Sequence, residues 1–122
     1  LFNITLSKLL NRKITMLHSY KKYVKYRIKT PLPSYRQFPC VTPNFDNASR
    51  RMHKGFTAFI GSTPQLYGKW LSSVFEKFKP YSQEENFIFI NAWNEWAEGN
   101  YVEPDLRYGH GYLDVLKEMI VS

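Results

Sequence analysis

The densest set of reactive side chains is the run Asn91-Ala92-Trp93-Asn94-Glu95-Trp96-Ala97-Glu98-Gly99. It brings two carboxylates, two indoles and two carboxamides into nine residues. Reaction at a glycosidic bond needs two carboxyl groups in different roles, one giving a proton and one taking it. Glu95 and Glu98 are the candidates for that pair. Asn91 and Asn94 can bond sugar hydroxyls, and Trp93 or Trp96 can stack on the apolar face of a sugar ring. Along an extended strand residues 95 and 98 point opposite ways, whereas on one helical turn they share a face. Both can therefore line one pocket only if the chain turns after Ile90, and Gly99 suits the exit from such a turn. A purely structural alternative fits the same letters. Trp93, Trp96 and Ala97 at i, i+3 and i+4 form an apolar patch, so the segment could be a plain helical turn with indoles inward and glutamates in water. No histidine stands at ligand spacing from these glutamates, which leaves only a carboxylate-only Mg²⁺ or Ca²⁺ site as a metal option. Neither a metal nor a cofactor is expected.

The elements that must position this run are readable from periodicity. Phe87-Ile88-Phe89-Ile90, directly before it, is a continuous apolar run of the kind found in strands buried on both faces of a parallel sheet. A helix is expected over residues 64–80, with Thr63 as N-cap, Pro64 in the first turn, Leu66, Trp70, Leu71, Val74 and Phe78 inward, and Pro80 as the stop. A second is expected over 18–29, with Ser19 as cap and Tyr20, Tyr23, Val24 and Ile28 on one stripe. A third covers 109–120, with Tyr112, Leu113, Leu116 and Ile120 inward, and a weak helical signal lies at 5–13. Thr30-Pro31-Leu32-Pro33 ends the second helix, and residues 38–42 read as a short strand. Residues 43–62 show no period and read as a long loop, a feature more often functional than idle. The alternation amounts to two successive βα units at about 38–122 behind a basic helical segment at 1–30. In such architectures ligands bind beyond the carboxyl ends of the strands, where both candidate loops fall.

Composition narrows the function classes. Aromatic residues make up 17% of the 122, too many for a disordered chain. The single cysteine, Cys40, cannot form an internal disulfide, and there is neither a signal-like start nor an apolar run long enough to span a bilayer. A cytoplasmic location is expected. Of the 17 Lys and Arg, nine fall in residues 1–45, which carry no Asp or Glu, so the stated net charge of +7 is carried by the N-terminal part. A solvated helix face accounts for most of that charge. Peripheral contact with an anionic membrane through residues 1–30 is the functional alternative. A nucleic-acid partner is not expected, because the acidic candidate loop would repel phosphates. Asn3-Ile4-Thr5 and Asn47-Ala48-Ser49 fit the glycosylation sequon, a pattern that often arises by chance.

The run FINAWNEWAEGNYVEPDLRYG, residues 89–109, closely resembles the signature of the WbsX-type glycosyltransferase family, which is related to glycoside hydrolase family 99, the endo-acting α-mannosidases. PNFDNASRR, residues 43–51, and Gly61-Ser62-Thr63-Pro64 followed by an amphipathic helix with Trp70 and Leu71 are similar to the same family, so the likeness runs over about residues 19–120. The resemblance implies an α/β fold, the C-terminal part of a (β/α)₈ TIM-type barrel. Barrels take about 250 residues, so Leu1 is expected to be a break point in a longer protein, and this piece alone is expected to be inactive and unstable. It also implies roles. Glu95 matches the residue that acts as base toward the sugar 2-hydroxyl in a retaining reaction through an anhydro-sugar, and Glu98 matches the general acid/base at the leaving oxygen. The implied activity is glycosyl transfer or retaining hydrolysis on a glycan or sugar-donor substrate, in the synthesis of lipopolysaccharide O-antigen or another surface polysaccharide.

Smaller expectations attach to the preceding loop and the rim. Asp46, Asn47, Arg50 and Arg51 could bind sugar hydroxyls or a phosphate, or simply hold the loop through an Asp–Arg pair. Tyr101 and Tyr108 could line the rim. Glu103, Asp105 and Arg107 are expected to fix the start of the last helix, and His110 to be structural. A non-catalytic sugar-binding module, or an inactive barrel remnant, is the alternative from another class. It would bind glycans through the Trp and Asn side chains without turnover.

Overall fold

The computed structural model describes residues 14–51 and 55–121. The expected helix at 5–13 lies outside them. Strand β1 (Met16–Ser19) runs straight into helix α1 (Tyr20–Lys29). Ser19 Oγ accepts the Lys22 N–H at 3.3 Å, so the cap falls where the sequence places it. After the proline-rich connection come β2 (Cys40–Val41), β3 (Thr57–Ile60) and helix α2 (Pro64–Lys77). Thr63 Oγ1 caps α2 by accepting Leu66 N–H at 3.2 Å, and Pro64 fills the first turn, where its missing N–H costs nothing. Then follow β4 (Phe89–Ile90), the short hairpin β5 (Asn94–Glu95) and β6 (Asn100–Tyr101), and helix α3 (Gly111–Val121).

Parallel pairing orders the strands. β1 pairs with β3 from Met16↔Thr57 to Ser19↔Ile60, and β2 pairs with β4 through Cys40↔Phe89 and Val41↔Ile90. β3 was expected to be loop. Its four residues carry no alternation, and only the backbone of β1 on one side and of residues 45–47 on the other makes them a strand. Phe59 N–H reaches Phe45 O at 2.8 Å, Asn47 N–H reaches Thr57 O at 3.2 Å, and Asp46 bridges Ala58 antiparallel. Half of the expected long loop is thus strapped to a strand.

The core joins Tyr20 and Val24 of α1, Val41 of β2, Tyr67, Trp70, Leu71 and Val74 of α2, Val102, and Tyr112 of α3. Each such side chain contributes about 1.5–3 kcal/mol when fully buried. Tyr20 OH donates to Thr42 O at 2.7 Å, so the first helix holds the end of β2 by a partly buried hydrogen bond. Lys77 donates to the carbonyls of Ile28 and Thr30, closing the C-terminal end of α1 with a cation where the helix dipole favours one.

Two expectations need correction. The run 87–90 is not buried on both faces: Phe87 and Phe89 are half-exposed, Phe89 by 54%, because among the described residues β4 has a neighbouring strand on one side alone. Ile120 is 68% exposed, because the face of α3 that packs against the core runs through Tyr112, Leu113, Val115, Leu116 and Met119 and leaves Ile120 outside it.

Two outcomes follow. Leu71→Ala, at a side chain 1% exposed, should lower the unfolding free energy by about 2–5 kcal/mol, read as a shifted urea midpoint with unchanged slope. Burial pushes the Tyr112 hydroxyl up to about 12 from 10.0, against the opposing hydrogen bond from Ser62. Burial likewise raises Tyr20 and Tyr67. Above pH 10.0 the unfolded chain loses these protons while the folded chain keeps them, so stability is full below that pH and falls between 10.0 and about 12. Thermal melts across that window should show the fall, and Tyr112→Phe should make it shallower.

Candidate active site

Because β2 and β4 are parallel, their carboxyl ends lie side by side, and the chains leaving them form one surface. The chain leaving β4 passes a cis Asn91–Ala92 peptide and enters the β5–β6 hairpin, whose tip is a 3₁₀ turn, Trp96–Glu98. Gly99 closes that turn at φ 54°, in the left-handed region that glycine adopts without strain. A side chain there would also meet Asp46 Cβ at 3.3 Å, so the glycine serves both the turn and the approach of the neighbouring loop.

The chain does turn after Ile90, as both glutamates meeting at one place requires. Glu95 and Glu98 meet on one guanidinium: Arg50 Nη2 lies 2.7 Å from Glu95 Oε1 and Nη1 lies 3.1 Å from Glu98 Oε1. The two carboxylates therefore share one guanidinium, and no other cation pairs with either among the described residues. Backbone contacts lock the loops together around this triad. Asp46 N–H donates to Glu98 O at 2.6 Å, and Ser49 Oγ donates to Ala97 O at 2.6 Å. Beneath them Thr42 Oγ1 lies 2.6 Å from Asn44 O and 2.8 Å from the amide of fully buried Asn100.

The indoles face outward. Trp93 is 57% and Trp96 49% exposed, so the alternative of a plain turn with buried tryptophans does not hold. Trp96 stacks on Tyr101 at 3.6 Å between centroids and 15° between planes, and its Nε1–H donates to Glu103 Oε2 at 2.6 Å. Tyr101 OH donates to Asp105 Oδ2 at 3.1 Å. This aromatic pair is fixed in orientation before any ligand arrives. It borders an open groove of about 600 Å³ completed by Pro104, Leu106 and Arg107, with the two carboxylates outside the groove itself.

The other candidates divide. Asp46 accepts Ala48 N–H at 2.9 Å, and Asn47 Oδ1 accepts Thr57 N–H at 2.9 Å, so both side chains already shape the loop. The expected local Asp–Arg pair is replaced by the longer-range pairing of Arg50 with the glutamates. Arg51 is exposed and pairs with no carboxylate among the described residues, and Asn94 is exposed on β5. Asp105 accepts Arg107 N–H at 2.8 Å and Tyr108 N–H, fixing the chain just before α3 as expected. Sequence reasoning overlooked Thr42, Ser49 and Asn100, small polar residues whose partners are distant in the chain. Among the described residues no cluster of three or more His, Cys, Asp or Glu could hold a metal ion.

The profile of the family Glycosyltransferase WbsX matches residues 2–116. The chain belongs to the WbsX glycosyltransferase family. It is 38% identical over 91 residues, 74% of its length, to the uncharacterized protein WxcX of Xanthomonas campestris pv. campestris strain B100. WxcX of strain ATCC 33913 matches with the same identity and coverage. The chain spans about 13% of the length of these curated relatives. No solved structure matches the chain.

Arg50 is half-exposed, so its ion pairs add less than about 1 kcal/mol to stability. Arg50→Gln should leave the melting temperature near that of the parent while speeding hydrogen exchange at the Asp46 and Ala48 amides. A large loss of stability would make Arg50 a structural residue.

Proposed function

We propose that this chain carries the catalytic carboxylates of a carbohydrate-active enzyme that transfers or hydrolyses glycosyl groups, in the synthesis of O-antigen or another surface polysaccharide. One observation carries the reading: a single arginine gathers Glu95 and Glu98 on the strand-end surface, beside two exposed indoles. Membership of the WbsX glycosyltransferase family supports it. Glu95 serves as the base toward a sugar 2-hydroxyl, and Glu98 as the general acid/base at the glycosidic oxygen, following the likeness to glycoside hydrolase family 99. On the same likeness we read the chain as the last part of a (β/α)₈ barrel, a reading compatible with the parallel β2–β4 pair that has both loops at its carboxyl end.

The chemistry proposed is that which the likeness implies. A carboxylic acid aimed at the leaving oxygen avoids expelling a bare alkoxide, and the same group as carboxylate then activates the acceptor. Whether water or a sugar hydroxyl takes the glycosyl group is set by the acceptor side and not by these two residues. Arg50 holds both carboxylates. The flat face of Trp96, backed by Tyr101, offers a surface for the apolar side of a pyranose ring.

In the full-length protein Glu98→Gln should lower kcat by about 10²–10⁴-fold with glycan affinity retained. Near-parental turnover would overturn the assignment of Glu98, and glycan binding with no turnover by the parent on any activated glycoside would favour a binding module. Trp96→Ala should raise KM more than it lowers kcat.

A further inference from the structure

A second cleft, of about 440 Å³, opens at the other end of the β2–β4 sheet, between the α1–β2 connection and the face of α2. That volume falls within the range of small-molecule sites. Two cations line it, Arg27 from α1 and Lys77 from α2, and no carboxylate does. The Arg27 guanidinium carbon lies 5.7 Å from the centre of the Trp70 ring, within reach of a cation–π attraction. Its Nε is buried without a hydrogen-bond partner among the described residues. A guanidinium presents five donors, and the one at Nε is unused. Lys77 donates to the carbonyls of Ile28 and Thr30, leaving one ammonium hydrogen free. The walls are Pro31, Leu32, Pro33 and Phe38, with the exposed ring of Tyr35 at the mouth.

A partly buried guanidinium with an unpartnered Nε–H carries a desolvation cost that a planar oxyanion offsets best, because a carboxylate or phosphate can accept two parallel N–H bonds from one guanidinium. We propose that this cleft is a binding site for an organic oxyanion, a phosphate or carboxylate group seated on Arg27 and Lys77 with a compact apolar body against the prolines. Its place at the amino ends of the strands, away from Glu95 and Glu98, makes it a site separate from the one described above. The inference does not depend on the reaction there.

Cys40 lies in the same cleft and is solvent-accessible, which makes it a local reporter. The test uses the full-length protein, with inorganic phosphate, phenyl phosphate and benzoate as probes, followed by calorimetry and by the rate at which iodoacetamide alkylates the Cys40 peptide. At least one probe should bind and slow Cys40 alkylation, and Arg27→Gln should weaken that binding by about tenfold or more. Preference for phenyl phosphate over inorganic phosphate would support the role of the apolar walls, and the ranking against benzoate separates a phosphate ligand from a carboxylate one. If Arg27→Gln melts early, Arg27→Lys keeps the charge over Trp70 and loses the fork, and should weaken binding by a smaller factor. Absence of binding by all three probes, binding that leaves Cys40 alkylation unchanged, or unaltered affinity in a folded Arg27 variant would overturn the proposal.

Discussion

Two parallel residue pairs, Cys40 with Phe89 and Val41 with Ile90, are the constraint on which the candidate site depends. Parallel pairing brings the carboxyl ends of both strands to the same end of the sheet, so two loops far apart in sequence must leave it side by side. One carries Arg50 and the other carries both glutamates. A shift of either strand by one residue would reverse which side chains face the core and pull the loops out of register. The register itself is held from outside the sheet: Tyr20 of α1 bonds the carbonyl of Thr42 just past β2, and α2 covers Val41 with its apolar face.

The site combines strong positioning with weak individual ion pairs. The salt bridges of Arg50 are half-exposed and add little to stability. The loops are held by Asp46 N–H on Glu98 O, by Ser49 on Ala97 O and by the buried Thr42–Asn100 contact. The backbone frame is thus set independently of the exposed side-chain ion pairs. Trp96 follows the same logic, since stacking on Tyr101 and its bond to Glu103 orient the indole and leave its outer face open.

Much of the fold was legible in the sequence because helix signals are local. The caps Ser19 and Thr63, the stripe from Tyr20 to Ile28 and the inward positions of α2 depend on neighbours three or four residues away. β3 was not legible, because Thr57–Ile60 becomes a strand only through backbone pairing with β1 and with residues 45–47. Burial of the 87–90 run was read too strongly. An apolar run can be matched to a two-sided sheet, but the neighbours that would cover Phe87 and Phe89 are a property of the assembly and not of the run.

At the candidate site the same boundary applies. The sequence alone determined which chemistry was possible: two carboxylates three residues apart, flanked by indoles and followed by a glycine, directly after a strand. It could also demand a turn, because that spacing is useless on an extended chain. Only the tertiary structure decided that the turn is a 3₁₀ tip of a hairpin, that the tryptophans face outward, and that Arg50, and not a local aspartate pair, unites the glutamates. The physical reason is range. Side-chain periodicity reports on contacts within one or two turns, whereas the arginine reaches across some 45 residues of chain, a proximity created by strand pairing alone.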